Sequence, residues 1–486
     1  MSVIKEPVML DRTGRELIEV GKSIAAALWA EKSTLIPSKD VNFYDYDGTR
    51  VYSYSKAEFL GLSALPGNPA HDGLTAQGWN WTLADAKEYV EKYGILDIGQ
   101  SYTTDDGKTR LYIEIGYPES LTARLQFAQS ANSEVTIDWG DGKTDTTTTT
   151  QVPAGNVDIS HVYEAEGKYT ITMDVPEDAY IKIGVGTSTG TTLSSGNGKP
   201  FFTQGASAYY PQSGRDALVG IEIGDRVTTI GSGAFASAYN LKLVTIPSTV
   251  TTIYDLAFLN CMSLRGIVIP AGVVRVGNYM FASCNALRAV CLPNGVTYLG
   301  IAALKSCVML KRIVIPESVT ALNSYAFENC HNAGIINLPD SITGAIPVEC
   351  FRDCNNLHAI RIPADVTSIG ARAFQHCHDL RECTLPEGVT TIGEQAFSNC
   401  FGFLDFVIPS TVTRIDKFAF LYNDGAATFH VRSTTPPVLE PTAFTAYKND
   451  LIIYVPYSED HSVLNAYLAA TGWASKGDQI REEDAA

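Results

Sequence analysis

The sequence predicts a multidomain, β-rich protein whose larger part is a solenoid of stacked coils. Three residue types recur in step along the second half of the chain, at intervals of 23 residues with a single interval of 24. The prolines are Pro247, Pro270, Pro293, Pro316, Pro339, Pro363, Pro386 and Pro409. The cysteines are Cys261, Cys284, Cys307, Cys330, Cys354, Cys377 and Cys400. The aromatics are Phe235, Phe258, Phe281, Phe327, Phe351, Phe374, Phe397 and Phe420, with Leu304 in the gap. Self-similarity at such a period is typical of a solenoid, in which each coil buries its apolar face only by stacking on its neighbours.

Each coil contains the same short phrases. Leu-x-x-Ile-x-Ile, as in Leu264–Ile269, predicts a short strand, which the following proline ends because proline cannot donate to a continuing ladder. Val-x-x-Ile, as in Val389–Ile392, predicts a second extended piece, and Ala-Phe buries the aromatic ring. The extra residue between Pro339 and Phe351 predicts a local bulge or kink.

Seven of the ten cysteines lie on the repeat ladder. A regular stack of coils brings neighbouring cysteines to disulfide distance only in places. We therefore expect a column of buried thiols that pack as small apolar groups.

The period, the proline, the Ala-Phe pair and the cysteine together closely resemble the BspA-like leucine-rich repeat family over residues 218–456. The resemblance implies a surface or secreted protein that binds host proteins or glycans and is not an enzyme. Residues 218–432 are the predicted solenoid, and residues 433–486 are the predicted last repeat and C-terminal cap, with a helix over Val463–Ala470.

Residues 1–115 predict a small α+β domain. A helix is expected around Leu17–Trp29, two strands around the Asp47-Gly48 turn, a helix over Leu83–Tyr93 and a strand over Arg110–Ile115. Three stretches resemble the N-terminal region of structural proteins encoded by prophages of Gram-positive gut bacteria, namely Ile4–Gly14, Val41–Gly48 and Gly73–Trp81. This resemblance implies attachment to other virion structural proteins through residues 1–115.

Residues 116–186 predict a β-sandwich. The phrases Val135–Gly142 and His161–Met173 resemble the PKD domain, an immunoglobulin-like module that implies a spacer without catalysis. Asp138 and Asp141 favour a turn over a calcium site, because two carboxylates without a third ligand are a weak signal. Residues 187–217, rich in Thr, Ser and Gly, predict a linker that covers the first repeat near Phe201 and Phe202.

Composition narrows the function. The net charge is −17 and the pI about 4.9, which argues against binding to nucleic acid. No signal peptide is visible near Met1, and no apolar run is long enough to insert into a membrane. Nucleotide-binding loops and metalloprotease motifs are missing, so we expect neither catalysis nor a cofactor. His376-Cys377-His378 favours a packed cysteine between solvated imidazoles over a zinc site.

One surface pattern predicts a ligand site. The residue after each strand leucine is basic in most coils, although Gly334 interrupts the row, and stacking places these residues on one face. Such a column would bind phosphate or carboxylate groups of an anionic glycan. Its members are Lys242, Arg265, Arg288, Lys311, His358 and Arg381.

Two functions remain open at this point. In the first, the chain is a tail-associated phage or prophage protein of the virion, attached through residues 1–115, whose solenoid contacts a host surface protein or glycan. In the second, it is a bacterial cell-surface or secreted adhesin of the BspA-like family.

Overall fold

The computed structural model describes residues 39–116, 121–152, 154–184, 200–204, 217–403, 405–422, 428–445 and 451–484. The helix expected around Leu17–Trp29 and most of the linker over residues 187–217 lie outside these residues. Among the helices that are described, none combines the length and the apolar character required to cross a membrane.

The described N-terminal unit is a four-stranded sheet with two helices. Val41–Tyr44 pairs antiparallel with Arg50–Tyr54 and parallel with Leu96–Thr104, which pairs in turn with Leu74–Trp79. The helices are Lys56–Leu60 and Leu83–Tyr93. The second helix has the predicted bounds because Thr82 caps its first turn and Gly94 ends it at φ 78°.

The next unit is a sandwich of two sheets around the buried indole of Trp139. Thr109–Ile115, which the sequence places at the end of the first unit, pairs instead with Gly167–Asp174 of this sandwich. The assignment of the sandwich to the PKD family and the exact domain boundaries stay predictions. The strands are Thr109–Ile115, Thr122–Ser130, Val135–Asp138, Thr144–Thr147, Ala154–Val162, Gly167–Asp174, Ile181–Ile183 and Phe202–Gln204.

The sandwich continues directly into the solenoid. Thr109–Ile115 also pairs antiparallel with the first strand of the solenoid, Leu218–Glu222, while Ile181–Ile183 pairs parallel with Val227–Ile230. Phe201 covers the first coil, and its N–H donates to Ala234 O at 2.8 Å. Both strand ladders of the solenoid therefore begin on the sandwich, which protects the edge that a first coil would otherwise expose.

The repeat region is a β-solenoid, as predicted, and it has about 11 turns. Its main ladder consists of Leu218–Glu222, Leu243–Thr245, Gly266–Val268, Ala289–Cys291, Arg312–Val314, Ile335–Asn337, Ala359–Arg361, Glu382–Thr384, Asp405–Ile408, Thr428–Val431, Ile452–Val455 and Ile480–Glu482. Its second ladder consists of Val227–Ile230, Thr252–Ile253, Arg275–Val276, Tyr298–Leu299, Gly344–Ile346, Val366–Ile369, Thr391–Ile392, Arg414–Ile415 and Val438–Leu439.

The core of the solenoid is built from the aromatic and cysteine ladders. Neighbouring phenylalanine rings stack with centroids 5.1–5.6 Å apart. Each ladder cysteine donates its S–H to the carbonyl of the aromatic-ladder residue one coil earlier, as Cys261 does to Phe235 O at 3.2 Å. All ten cysteines are buried and none forms a disulfide, which confirms the predicted column of thiols.

The irregular interval has the expected local effect. The pairing of Gly344–Ile346 with Val366–Ile369 shifts register after Gly344. Gly344 has φ 78°, a conformation that glycine adopts without steric cost. The predicted bulge is confirmed.

The last coils are closed by the helix Ser462–Ala469 and the 3-10 helix Ala474–Gln479. Trp473 is buried, and its Nε1–H donates to Pro437 O at 2.7 Å. The hydroxyl of Tyr467 donates to Ser433 O at 2.7 Å. These contacts cover the final edge of the core.

The N-terminal unit docks on the main ladder of the solenoid. Two glycines of the N-terminal unit lie closest to the solenoid, and a Cβ on Gly48 would lie 2.9 Å from the Cα of Gly266. A Cβ on Gly99 would lie 2.6 Å from a methyl of Val268. The approach is close enough that neither glycine tolerates a side chain without a shift of the interface.

Proline creates the acceptors that this interface uses. In a parallel ladder, the carbonyl of the residue before each proline would accept a hydrogen bond from the residue of the next coil that is equivalent to that proline. Where this equivalent residue is also a proline, it has no N–H, and the carbonyl has no ladder donor. Arg432 stands at a proline position and shows the missing bond, because its N–H donates to Ile408 O at 2.9 Å. Glu483 donates to Val455 O at 2.9 Å in the same way.

Side chains of the N-terminal unit replace the missing donors in three successive coils. Their partners are the carbonyls before Pro270, Pro293 and Pro316. Each bond satisfies a buried acceptor that proline has left without a ladder partner. The bonds are Asn80 Nδ2 to Ile269 O at 3.3 Å, Trp81 Nε1 to Leu292 O at 2.8 Å and the Tyr89 hydroxyl to Ile315 O at 2.6 Å.

Charged groups close the far side of the interface. Arg312 lies 3.3 Å from Asp97 and donates to the carbonyls of Lys39 and Asp40. Burial raises the pKa of Asp97, and the facing guanidinium of Arg312 opposes that shift. Lys92 pairs with Glu317 at 2.7 Å.

The docking bonds can be tested with Trp81→Phe. The variant keeps an aromatic ring but leaves Leu292 O without a donor, so we expect the free energy of unfolding to fall by about 1–3 kcal/mol. Adding Pro316→Ala supplies the ladder N–H to the same carbonyl and should recover about 1 kcal/mol. Urea unfolding of the two single variants and the double variant measures this coupling as a double-mutant cycle. Strictly additive losses would contradict the assignment of Trp81 to the proline-created acceptor.

The thiol column makes a second prediction. Burial raises the pKa of Cys330 and Cys383 to about 12 and that of Cys377 and Cys400 well above its ordinary value. Native protein should therefore resist iodoacetamide at pH 8, whereas urea-unfolded protein should react at all ten cysteines. The free energy of unfolding should fall as pH rises above about 8.5, because unfolded thiols then lose protons that folded thiols keep. Rapid labelling of the native chain would be incompatible with a buried column.

Candidate functional site: the strand face of the solenoid

The strand face consists of the side chains that point outward from the main ladder, at the third and fifth positions of Leu-x-x-Ile-x-Ile. Burial divides it into two halves. In the covered half these positions are buried under the sandwich and the N-terminal unit, at Leu243, Thr245, Gly266, Val268, Ala289, Cys291 and Val314. In the open half they are all exposed, at Ala359, Arg361, Glu382, Thr384, Asp405 and Val407.

The coil of Ile335 and Asn337 marks the border between the halves. Asn337 Nδ2 still donates to the Tyr89 hydroxyl at 2.6 Å. Ile335 is already 48% exposed. Asp340 in the same coil contacts Lys92 at 3.3 Å on one side and Arg361 at 2.5 Å on the other, so the docked interface leads directly into the open half.

The residue types at the outward positions follow this division. The covered positions are mostly small or apolar, such as Gly266 and Ala289, whereas the open positions are mostly polar or charged, such as Glu382 and Asp405. This change along the repeat is visible in the sequence, but the predicted basic column lies at the second position of the coil, not at the third and fifth positions. The open strand face was therefore missed by sequence reasoning.

The next three carbonyls of the proline-created row lie in the border coil and in the open half. Leu338, Ile362 and Leu385 face Pro363, Pro386 and Pro409 of the following coils, and no described residue donates to their oxygens. By the symmetry of the repeat, these oxygens are equivalent to Ile269 O, Leu292 O and Ile315 O, which accept hydrogen bonds from side chains of the N-terminal unit. The open half therefore presents a row of acceptors about 4.8 Å apart, the spacing of neighbouring strands.

The basic column of the sequence prediction lies beside the strand face, at the second position of the coil. Its backbone is continuous, since Arg265 N donates to Lys242 O at 3.4 Å and Arg288 N donates to Arg265 O at 2.8 Å. Among the described residues, no carboxylate pairs with Arg265, Arg288 or Lys311. Burial, together with Arg265, lowers the pKa of Lys242 to about 8, so this residue loses its charge at a lower pH than an ordinary lysine.

The C-terminal members of the column are arranged differently. His358 and Arg381 both contact Asp379, at 2.5 Å and 2.9 Å, and Gly334 separates them from Lys311. The structure thus brings Arg265, Arg288 and Lys311 together as a cationic patch, while His358 and Arg381 lie in a second, neutralised group.

The histidine triplet does not assemble a metal site. Cys377 is buried, His376 contacts Asp353 at 2.8 Å, and His378 stacks on Phe401 at 5.1 Å. Asp141 of the sandwich turn pairs with His161 at 2.8 Å. In the described part of the chain, no group of three or more His, Cys, Asp or Glu side chains could hold a metal ion.

Comparison with known families identifies the repeat. The BspA type leucine-rich repeat region matches residues 213–334 and 344–448, in six copies. The second matched segment begins at residue 344, where the irregular interval shifts the register of the strands.

Several solved structures are similar to this chain. A leucine-rich repeat protein from Bacteroides ovatus is 25% identical over 53% of this chain and 65% of its own length, with a TM-score of 0.44. A leucine-rich cell surface protein from Faecalibacterium prausnitzii is 24% identical over 49% of this chain and 74% of its own, with a TM-score of 0.33. The pneumococcal vaccine antigen PcpA is 16% identical over 61% of this chain and 88% of its own, with a TM-score of 0.33.

A search of curated proteins finds no match to this chain. The family match and the observed solenoid agree on the same residues, with the proline and cysteine ladders at the same step. Residues 213–334 and 344–448 therefore match the BspA type leucine-rich repeat region over the same coils that form the solenoid.

Proposed function

We propose that this chain is a non-catalytic binding protein of the cell surface or of the secreted fraction, and that the open half of its strand face contacts the partner. Proteins with BspA-type repeats are generally cell-surface or secreted proteins and typically act in binding or structure. The partner is a host-surface protein or a glycan. No residue of the chain is assigned a catalytic role.

One observation carries the proposal. The covered half of the strand face is already a binding surface, because Asn80, Trp81 and Tyr89 dock on it. Arg312–Val314 of the covered half is linked through Ile335–Asn337 to Ala359–Arg361 of the open half by parallel pairing, and there the outward side chains and the proline-created acceptors have no such cover. Loops and strand faces left open by a rigid scaffold are where binding residues are concentrated.

The cationic patch is a second candidate contact. Arg265, Arg288 and Lys311 occupy equivalent positions in three successive coils, and the chain as a whole carries a net charge of −17. A local positive patch on an acidic protein favours anionic ligands at short range. The patch therefore suits the carboxylate or phosphate groups of an anionic glycan.

A tail-associated virion role through residues 1–115 is the alternative to the adhesin. The described part of this region uses one face to dock on the solenoid, so attachment to a particle would use its other face or residues 1–38. Mass spectrometry of purified particles and of cell-envelope fractions from the same culture distinguishes the two. Recovery in particles supports the virion role, and recovery in the envelope alone excludes it.

The open half can be tested by filling it. Ala359→Trp places an indole on the exposed strand face, and we expect it to weaken binding to array-printed glycans or extracellular host proteins at least about tenfold by steric exclusion. Ala321→Trp is the matched control, because Ala321 is also exposed but lies on the segment that follows the proline. Thermal unfolding should be similar for both variants.

Equal retention of every array ligand by Ala359→Trp and wild type would remove the open half from the function. Loss of binding in both tryptophan variants would point to a general defect and would equally count against this surface.

The cationic patch makes its own prediction. The triple variant Arg265→Ala, Arg288→Ala and Lys311→Ala should lose most of its retention on immobilised heparin at 50 mM salt, since three unpaired cations are removed. Arg381→Ala should change retention little, because Asp379 already neutralises that guanidinium. Retention of the triple variant at the wild-type salt concentration would refute a role for the patch in binding anionic glycans.

A further inference from the structure

The chemistry of the open half indicates what kind of partner it accepts. The backbone of the open half and of its border coil contributes three carbonyl oxygens, those of Leu338, Ile362 and Leu385, for which the ladder has no donor. The side chains of the open half add the carboxylates of Glu382 and Asp405. All five groups accept hydrogen bonds.

Cationic side chains near this surface are already engaged. Arg361 contacts Asp340 at 2.5 Å, and His358 and Arg381 both contact Asp379. Among the described residues, Glu382 forms no ion pair, and Asp405 contacts His430 at 3.1 Å. The surface is therefore rich in acceptors and favours a partner that brings donors, whereas an anionic ligand meets repulsion here.

The covered half shows how a protein satisfies such a row. Asn80 and Trp81 are adjacent in sequence, and Tyr89 lies on the helix that begins immediately after them. Together they deliver an amide, an indole and a phenol to three successive coils. Side chains one helical turn apart lie about 5–6 Å from each other, which is close to the spacing of the coils.

Apolar side chains at the borders of the open half also suit a protein. Ile335 is 48% exposed at one end and Val407 is 41% exposed at the other. In the covered half, Val314 packs in one apolar cluster with Trp81 and Tyr89. A partner that combines donors with apolar area would bury Ile335 and Val407 in the same manner.

We propose that the open half docks a protein segment that presents amide, indole, phenol or cationic donors to the carbonyls of Leu338, Ile362 and Leu385, in continuation of the docked N-terminal unit. This inference rests on the proposed use of the open half for binding. It adds the chemical class of the partner: a basic or neutral polypeptide rich in side-chain donors.

Substitution of prolines tests this inference, because it gives the carbonyl oxygens a ladder donor and leaves every outward side chain of the strand face unchanged. Pro363→Ala, Pro386→Ala and Pro409→Ala restore the ladder N–H to Leu338 O, Ile362 O and Leu385 O, as the natural Arg432 does for Ile408 O. Pro456→Ala is the matched control, because it restores the same bond to Val431 O one coil beyond the open half. The new ladder bonds and the freer unfolded chain act in opposite directions, so thermal unfolding should change little.

The probe is a displayed library of random linear peptides, selected on the full chain. We expect enrichment of Lys, Arg, Trp, Tyr and Asn over Asp and Glu. The selected peptides should bind the triple proline variant at least about tenfold more weakly than wild type and should bind Pro456→Ala like wild type. Truncation of residues 1–38 should leave their affinity unchanged if the partner is a separate protein, whereas stronger binding to the truncated chain would assign the surface to those residues and overturn the proposal.

The outcomes separate this inference from the proposed function. If Ala359→Trp abolishes peptide binding and the triple proline variant does not, the peptides bind to the open half but not through the carbonyl oxygens, and the inference is overturned. Enrichment of acidic peptides would also overturn the inference but not the proposed function. The same holds if the chain binds glycans and no peptides, and Ala359→Trp abolishes the glycan binding. Peptides insensitive to Ala359→Trp count against both.

Discussion

Most main strands of the solenoid end at a proline, and the backbone N–H that proline lacks determines how the N-terminal unit docks. Proline ends the strand cleanly, but when it recurs in the next coil it also deprives the preceding carbonyl of its ladder donor. Repetition turns this local loss into a row of acceptors along the solenoid, and Arg432 and Glu483, which stand where other coils have proline, show the bond that those coils lack. A row of this kind must be hydrated or covered, and the N-terminal unit covers it in three coils.

The core residues of the solenoid are constrained by stacking between coils, whereas the outward residues are not. Stacked phenylalanines and buried thiols hold each coil against its neighbours, and they are the same in nearly every coil. The sandwich closes one end by extending both ladders, and Trp473 with its helix closes the other. With both ends protected, the outward positions are free to differ from coil to coil, and these differences separate the covered half from the open half.

Sequence periodicity predicted those parts of the fold that depend on neighbouring coils. The strand phrases, the thiol column and the bulge near Gly344 all follow from the 23-residue step and its single interruption. The helix Leu83–Tyr93 follows from its local caps. The docking of Trp81 on Leu292 O joins residues 211 positions apart, which no local pattern encodes. The basic column was predicted as one surface, yet the acidic neighbour Asp379, outside the column, decides which of its members remain available.

Docking on one part of a repetitive scaffold also separates two kinds of sequence change. Each coil contacts mainly the coils on either side, so whole coils can be gained or lost without disturbing distant ones. Loss of a coil between Gly266 and Asn337 would break the match with Asn80, Trp81 and Tyr89. Duplication of a coil around Ala359–Arg361 would leave that match intact and lengthen the exposed ladder by about 4.8 Å. The exposed part of the strand face can thus vary in length among descendants of this chain while the part docked by the N-terminal unit keeps a constant size.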